Sequence, residues 1–168
     1  MELSMTTKLV IIGDCWGAQE ATLQHPFVGT AGQELARLLH GAGYPCSFIP
    51  YTFNSSIRML KYWDKFPFPL LSVFNECPQD NVEFFYTRES NNTFNSRRFA
   101  NKIHYVKPEY ESHVKQLHET LKELKPNVII ALGNTALWAL GLPPSISKLR
   151  GNVIESAFGK VLPPHSPA

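Results

Sequence analysis

Polar side chains follow three apolar runs of this 168-residue chain, at the point where each run ends. They are Asp14, Asn75 and Asn134. Parallel strands bring their carboxyl ends to one edge of a sheet, where open α/β folds bind ligands. Phe27 follows the first run, and His165 follows the last predicted strand. An acid, an amide, an aromatic ring and an imidazole together suit a site that recognises a ring-shaped base and breaks a bond to it.

Each of these residues also has an ordinary structural interpretation. An Asp or Asn after a strand is more often the cap of a helix or turn, and a Phe before a helix is more often a hydrophobic contact than a stacking surface. The segment 13–17 is expected to be a tight loop with Asp14 at its tip, and Phe27 is expected to be exposed. From the residues alone, both interpretations stay open.

The elements that must position these residues are read from the apolar runs. Runs without polar interruption predict strands that are buried on both faces, at 8–12, 70–74 and 128–132. Their alternation with helices predicts a mostly parallel sheet covered on both faces, which is a three-layer α/β/α sandwich. A hairpin is predicted over 153–162 with a turn at Phe158-Gly159, and a short strand is possible at 47–49. No linker or repeat divides the chain, so residues 1–168 are expected to form one domain.

Helix boundaries are predicted from capping residues. Thr30 and Gln33 form the pattern of a capping box, and Gly41 and Gly43 are expected to end that helix. Further helices are predicted over 56–63, 110–124 and 136–140. The polar stretch 78–108 is predicted to be an elaborated loop with a turn at 91–92.

Composition is that of an ordinary globular protein, with 43% hydrophobic residues and a net charge of +2. Five basic residues and one acid lie between Arg88 and Lys107, a patch that suits phosphates and a solvated loop about equally well. No signal peptide and no membrane span are predicted. Three widely spaced cysteines argue against a disulfide framework. A cytoplasmic, reducing location is therefore expected.

The motifs, taken in order, resemble those of the uracil-DNA glycosylase superfamily, most closely its iron–sulfur branch. The family's Gly-Glu-x-Pro-Gly is represented by residues 13–17, and its Pro-Phe-Val-Gly-x-Ala-Gly-Gln stands intact at 26–33. The remaining matches lie at 73–78, 126–136, 149–151 and 161–167. The resemblance covers nearly the whole chain and implies an α/β/α fold that excises uracil from DNA.

The resemblance also implies which residues hold the base. Phe27 would stack on a uracil that has been flipped out of the helix, and the Asn75 amide would bind its O4 and N3–H. Cytosine presents the reverse pattern of donor and acceptor, so its binding would leave buried groups without partners. Gly13 and Cys15 would complete the uracil-binding residues.

Catalytic and DNA-binding roles are implied in the same way. Asp14 would position a water and stabilise the positive sugar, while His165 would donate a hydrogen bond to O2 as negative charge develops there. The implied DNA-binding residues are Asn134, Ser147, Lys148 and Arg150. A solvated loop explains the last three about equally well.

The sequence departs from the family pattern in three places. No cysteine pair precedes the first strand and three cysteines cannot complete the usual four-ligand set, so no cluster, metal or other cofactor is predicted. Asp14 is shorter than the family's Glu, and Trp16 stands where the family has Pro. The chain ends three residues after His165.

These departures leave alternatives to a monomeric uracil-excising enzyme that acts on single- or double-stranded DNA. One is a superfamily member with weak or no catalysis that binds DNA or a protein partner. Another is an enzyme that acts on a different modified base or on a free nucleoside.

Overall fold

The computed structural model describes residues 8–43, 56–64, 66–143 and 152–162. In chain order the strands are β1 (Leu9–Cys15), β2 (Leu70–Phe74), β3 (Tyr86–Thr87), β4 (Arg97–Phe99), β5 (Lys102–Val106), β6 (Val128–Ala131), β7 (Ile154–Ser156) and β8 (Gly159–Leu162). The α-helices are α1 (Ala18–Leu23), α2 (Thr30–Gly41), α3 (Ser56–Asp64), α4 (Glu111–Leu124) and α5 (Asn134–Ala139). Single 3₁₀ turns precede β3 and α4.

The main sheet has five strands in the order β2-β1-β6-β8-β7. The first four are mutually parallel, and β7 pairs antiparallel with β8 as the predicted hairpin. The prediction of a mostly parallel sheet is confirmed. The strand β1 lies between β2 and β6 and pairs with both.

Helices cover both faces of this sheet because alternate residues of a strand point to opposite sides. Val10 and Ile12 of β1 belong to a core formed with α4 and α5, whereas Leu9 and Ile11 pack with α2 and α3. All four side chains are at most 1% exposed. The three-layer α/β/α arrangement is therefore also confirmed.

Two local predictions around β1 need correction. The strand continues to Cys15, so Asp14 lies within the strand rather than at the tip of a loop, and α1 occupies the gap before the second motif. The helix predicted from Thr30 is present, but its N-cap is Gly29 and no side chain caps it.

The buried Glu20 carboxylate takes the place of the predicted capping box. Its Oε2 accepts from the Gly29 N–H at 2.5 Å and its Oε1 from the Gly17 N–H at 2.9 Å. One acid therefore satisfies donors ahead of both α1 and α2. Thr30 does not act as the cap because the helix begins one residue earlier, and the Gln33 N–H donates to the Gly29 carbonyl at 3.1 Å.

The segment predicted as an elaborated loop is largely ordered structure. It contains a three-stranded antiparallel sheet in the order β3-β5-β4. Phe85 is fully buried and stacks on Phe74 of β2 with ring centroids 4.2 Å apart, while Val106 is also fully buried. Burial of these apolar side chains explains why the polar composition of the segment was misleading. A turn does form at Asn91, whose Oδ1 accepts from the Thr93 N–H.

Several predictions fall on residues outside the described ranges. They concern the possible strand at 47–49 and the site residues Ser147, Lys148, Arg150 and His165. Among the helices of the described segments, none is long and apolar enough to cross a membrane.

Candidate active site

The carboxyl ends of β2, β1 and β6 lie side by side at one edge of the sheet. Cys15 is in register with Phe74, and Ile12 is in register with Ala131. Asp14 in β1 and the residues that follow β2 and β6, Asn75 and Asn134, are therefore brought to the same edge, as the sequence predicts. Asn75 and Asn134 are exposed, and Asp14 is half-buried.

The Asp14 carboxylate is seated against the start of α5. Its Oδ1 accepts from the Ala136 N–H at 3.0 Å. Gly133, which precedes the helix, has a φ of +112°, and a Cβ at that position would stand 2.5 Å from Asp14 Oδ2. The close approach of the carboxylate thus requires glycine at 133. Asp14 caps a helix, as the ordinary interpretation predicts, and it does so at the candidate site.

Burial is the largest influence on the charge of Asp14. It raises the pKa of this carboxyl above the usual 3.8 because ionisation in a partly dry environment is costly. Hydrogen bonds from the Ala136 and Thr135 N–H groups and the charge of Arg97 act in the opposite direction. The net effect is a carboxyl that ionises less readily than one in water.

Arg97 reaches this site from β4 and was not singled out by the sequence analysis. Its Nη1 donates to Thr135 Oγ1 and, at 3.1 Å, to the Tyr86 hydroxyl. Its guanidinium carbon lies 4.6 Å from the centre of the Phe99 ring, at the distance of a cation–π contact. The sequence showed Arg97 only as one member of a basic patch.

Phe27 is 8% exposed, so the expectation of an exposed aromatic was wrong. Its φ of +61° is rare for an aromatic residue and turns its ring toward β1. There the ring lies against Gly13, where an added Cβ would be 2.8 Å from Phe27 Cζ. The Phe27 carbonyl accepts from Trp63 Nε1 at 2.7 Å, and Gly32 leaves room for that carbonyl above α2.

Asn75 is held through its backbone, and its side chain has no hydrogen bond to another described residue. Its N–H donates to His113 Nδ1 at 3.1 Å. Because Nδ1 is the acceptor, the ring proton of a neutral His113 is on Nε2, which faces Glu76 Oε1 at 3.7 Å. Within the described segments, no residue occupies the Asn75 amide, which extends from an anchored backbone and can meet a ligand.

Two neighbours of Asp14 in β1 and the following turn have distinct chemical properties. Burial, aided by the charge of Asp14, raises the pKa of the Cys15 thiol to about 11, so this thiol is protonated at neutral pH. Cys15 therefore has the character of a packing residue rather than a nucleophile.

Trp16 is 9% exposed, and its buried Nε1 has no hydrogen-bond partner among the described residues.

Metal-binding groups are not clustered in the described segments. No three His, Cys, Asp or Glu residues there lie close enough together to hold an ion. Cys15 and Cys77, the two cysteines in those segments, are free thiols. These residues do not fit the four-thiolate set of an iron–sulfur cluster.

A comparison with protein families gives the site its context. The family model described as the uracil DNA glycosylase superfamily matches residues 2–168. The chain belongs to this superfamily. Membership indicates DNA glycosylase activity and DNA as the molecule acted on. No curated protein matches the chain in sequence.

The structure brings the two segments that resemble superfamily motifs, 13–17 and 26–33, into direct contact. The contact is that between the Phe27 ring, from the segment 26–33, and Gly13, from the segment 13–17. The described part of the candidate site thus contains Gly13, Asp14, Cys15, Phe27 and Asn75 at one sheet edge.

Proposed function

We propose that this protein is a DNA glycosylase that flips uracil out of DNA and hydrolyses its N-glycosidic bond. The observation that carries the proposal is the grouping of Asp14, the free Asn75 amide and the Phe27 ring at one sheet edge. Membership of the superfamily supports the reaction class. We further propose that residues 1–168 act as one monomeric domain in the cytoplasm.

The base-binding part of the proposal rests on Phe27 and Asn75. The Phe27 ring would contact the flipped base, and stacking of this kind contributes about 1–3 kcal/mol per base. The Asn75 side chain would donate to O4 and accept from N3–H of uracil. Gly13 and Cys15 would lie beneath the base, since Gly13 is already in contact with the Phe27 ring.

The chemical step would use Asp14 as an ionised carboxylate. Its Oδ1 accepts from Ala136, and Oδ2 would accept a proton from a water molecule. The water oxygen bonds to C1′ of the sugar as the bond from C1′ to N1 breaks, and uracil leaves with the electron pair. His165 would stabilise the charge on O2, and Asn134, Ser147, Lys148 and Arg150 would hold the DNA.

Cleavage of a uracil-containing oligonucleotide after alkali treatment tests this function. We expect the wild type to cut single- or double-stranded DNA at uracil, Asn75→Ala to abolish cutting and Asp14→Ala to reduce it about 10²–10⁴-fold. Asn92→Ala removes an exposed amide from a loop and serves as the matched control. A wild type that leaves uracil uncut, or an Asn75→Ala variant that is fully active, contradicts the proposal.

The position of Asp14 also favours a second candidate function, that of a superfamily member that binds DNA without cutting it. Its carboxylate already caps α5, and burial works against its ionisation. In that case the wild type would bind uracil-containing DNA and leave it intact. Binding measured by fluorescence anisotropy beside the cleavage assay separates the two candidates.

A further inference from the structure

Arg97 and Asp14 are held by consecutive residues of one helix. Arg97 Nη1 donates to Thr135 Oγ1, and the next residue, Ala136, donates its N–H to Asp14 Oδ1. Thr135 is fully buried, so its hydroxyl cannot exchange this partner for bulk water without local opening. The first turn of α5 therefore joins the arginine to the acid.

The Arg97 side chain is fixed by its own neighbours on the small sheet. It donates to the Tyr86 hydroxyl at 3.1 Å and lies over the Phe99 ring. The adjacent Arg98 lies on the opposite face of β4, because successive strand residues alternate. Arg98 is in register with Ile103, which is 41% exposed, whereas Arg97 is in register with the buried His104.

The charged and titratable groups around Asp14 come from three strands. Tyr86 on β3 and Cys15 on β1 have pKa values raised to about 12 and about 11, so both are neutral near neutral pH. Arg97 on β4 is the positive charge that acts on Asp14 within the described segments. A buried carboxylate with a fixed cation beside it retains its charge at lower pH than one without such a partner.

We propose that Arg97 is a positioning residue of the glycosylase reaction, which aligns the first turn of α5 on Asp14 and keeps that carboxylate charged. This role rests on the proposed function, because it matters only if Asp14 acts as a carboxylate on water. Arg97 does not need to touch the DNA. Its effect is transmitted through Thr135 and through its charge.

The first test does not depend on activity. The carboxyl carbon of Asp14 is followed by NMR through a pH titration of the full chain, with Asp14→Asn used to assign the signal. We expect the Asp14 pKa to be higher in Arg97→Gln than in the wild type, and Arg98→Gln to leave it unchanged. Thr135→Val, which removes the acceptor but keeps the side-chain shape, should change the titration in the same direction by a smaller amount.

The second test is the pH dependence of kcat for uracil excision. If Asp14 must be ionised, loss of Arg97 moves the acidic limb of the profile to higher pH. We expect kcat of Arg97→Gln to fall about tenfold on the acidic limb and much less at higher pH, where Asp14 is ionised in both proteins. Arg97→Lys retains the charge and should restore most of the acidic limb, while Arg98→Gln should follow the wild-type profile.

The two readouts separate the possible failures. If the Asp14 titration is the same in the wild type, Arg97→Gln and Thr135→Val, the positioning role is wrong whatever the activity. A uniform loss of kcat at every pH, not restored by Arg97→Lys, also overturns it, since that pattern describes a general structural defect. A shifted titration in a protein that cuts no uracil overturns the proposed function and leaves the coupling of Arg97 to Asp14 intact.

Discussion

The Phe27 ring lies so close to Gly13 that a methyl group on position 13 would stand 2.8 Å from Phe27 Cζ. Gly13→Ala should therefore push the ring out of place and destabilise the protein by about 1–3 kcal/mol, the usual cost of overpacking. Uracil excision should fall as well, because the ring is the proposed stacking surface. Urea unfolding and kcat/KM measure the two effects.

Gly41→Ala is the control for this substitution. Nothing lies within 4 Å of a Cβ at Gly41, at the end of α2, so stability should be unchanged or slightly raised. Equal stability and activity for both alanine variants would contradict the close contact between Phe27 and Gly13.

Asp14→Asn should separate stability from activity. The folded-state pKa of Asp14 is raised, so the ionised form is disfavoured by folding, and the stability that the protonated form provides is lost as pH rises through the folded pKa. An Asn at this position still accepts from Ala136 and carries no charge. At neutral pH the variant should be at least as stable as the wild type, yet about 10²–10⁴-fold less active.

Thermal unfolding over a pH series checks the stability half of this prediction. The difference between wild type and Asp14→Asn should grow as pH rises from the ordinary Asp range toward neutrality. Asp80→Asn alters an exposed acid and should give no such trend. An Asn variant that is less stable than the wild type at neutral pH would show that the charge itself holds α5 in place.

Glu20→Ala should be strongly destabilising. It removes the acceptor of two backbone donors, Gly17 N–H and Gly29 N–H, and a buried donor without a partner costs about 1–3 kcal/mol. Denaturant unfolding should show a total loss of about 2–6 kcal/mol. The neighbouring Gln19 is exposed, and Gln19→Ala should change stability little. A similar small effect for both would mean that water replaces the carboxylate.

His113→Phe tests the anchoring of Asn75. The substitution keeps an aromatic ring beside Phe74 and removes the acceptor for the Asn75 N–H. A lost hydrogen bond of about 1 kcal/mol corresponds to a decrease in kcat/KM of about fivefold. His113→Asn offers an oxygen in place of Nδ1 and should recover part of the loss, whereas Lys115→Ala on the exposed side of α4 should have no effect. Identical kinetics for His113→Phe and wild type would rule out the anchoring role.

The central strands and the edge that carries Asp14 and Asn75 could be predicted from the sequence because uninterrupted apolar runs have few other solutions. The strand β1 is an example. The helix α2 could also be predicted, from the helical spacing of its leucines. The end of β1 was placed too early because Gly13 and Asp14 have low strand propensity, which pairing with β2 overrides.

Side-chain partners from distant segments could not be predicted in the same way. The capping pattern of Thr30 and Gln33 is local, whereas Glu20, the acid that accepts from the Gly29 N–H before α2, belongs to another helix. One sequence signal could have located Arg97. Two short segments, 97–99 and 102–106, flank Ala100 and Asn101, and both of these residues adopt positive φ in the structure. A two-residue turn with Asn predicts a hairpin, and strand alternation then assigns Arg97 and Arg98 to opposite faces.

The hydrogen bond between Asp14 and Ala136 joins residues 122 positions apart in the chain. Asp14 can make this bond only when α5 has been placed beside β1. Contacts of such long sequence separation form late and slow the folding of α/β proteins. After dilution from denaturant, uracil excision should therefore recover later than the circular dichroism signal of the helices. The recovery of activity would then report the rate of the last step of sheet assembly.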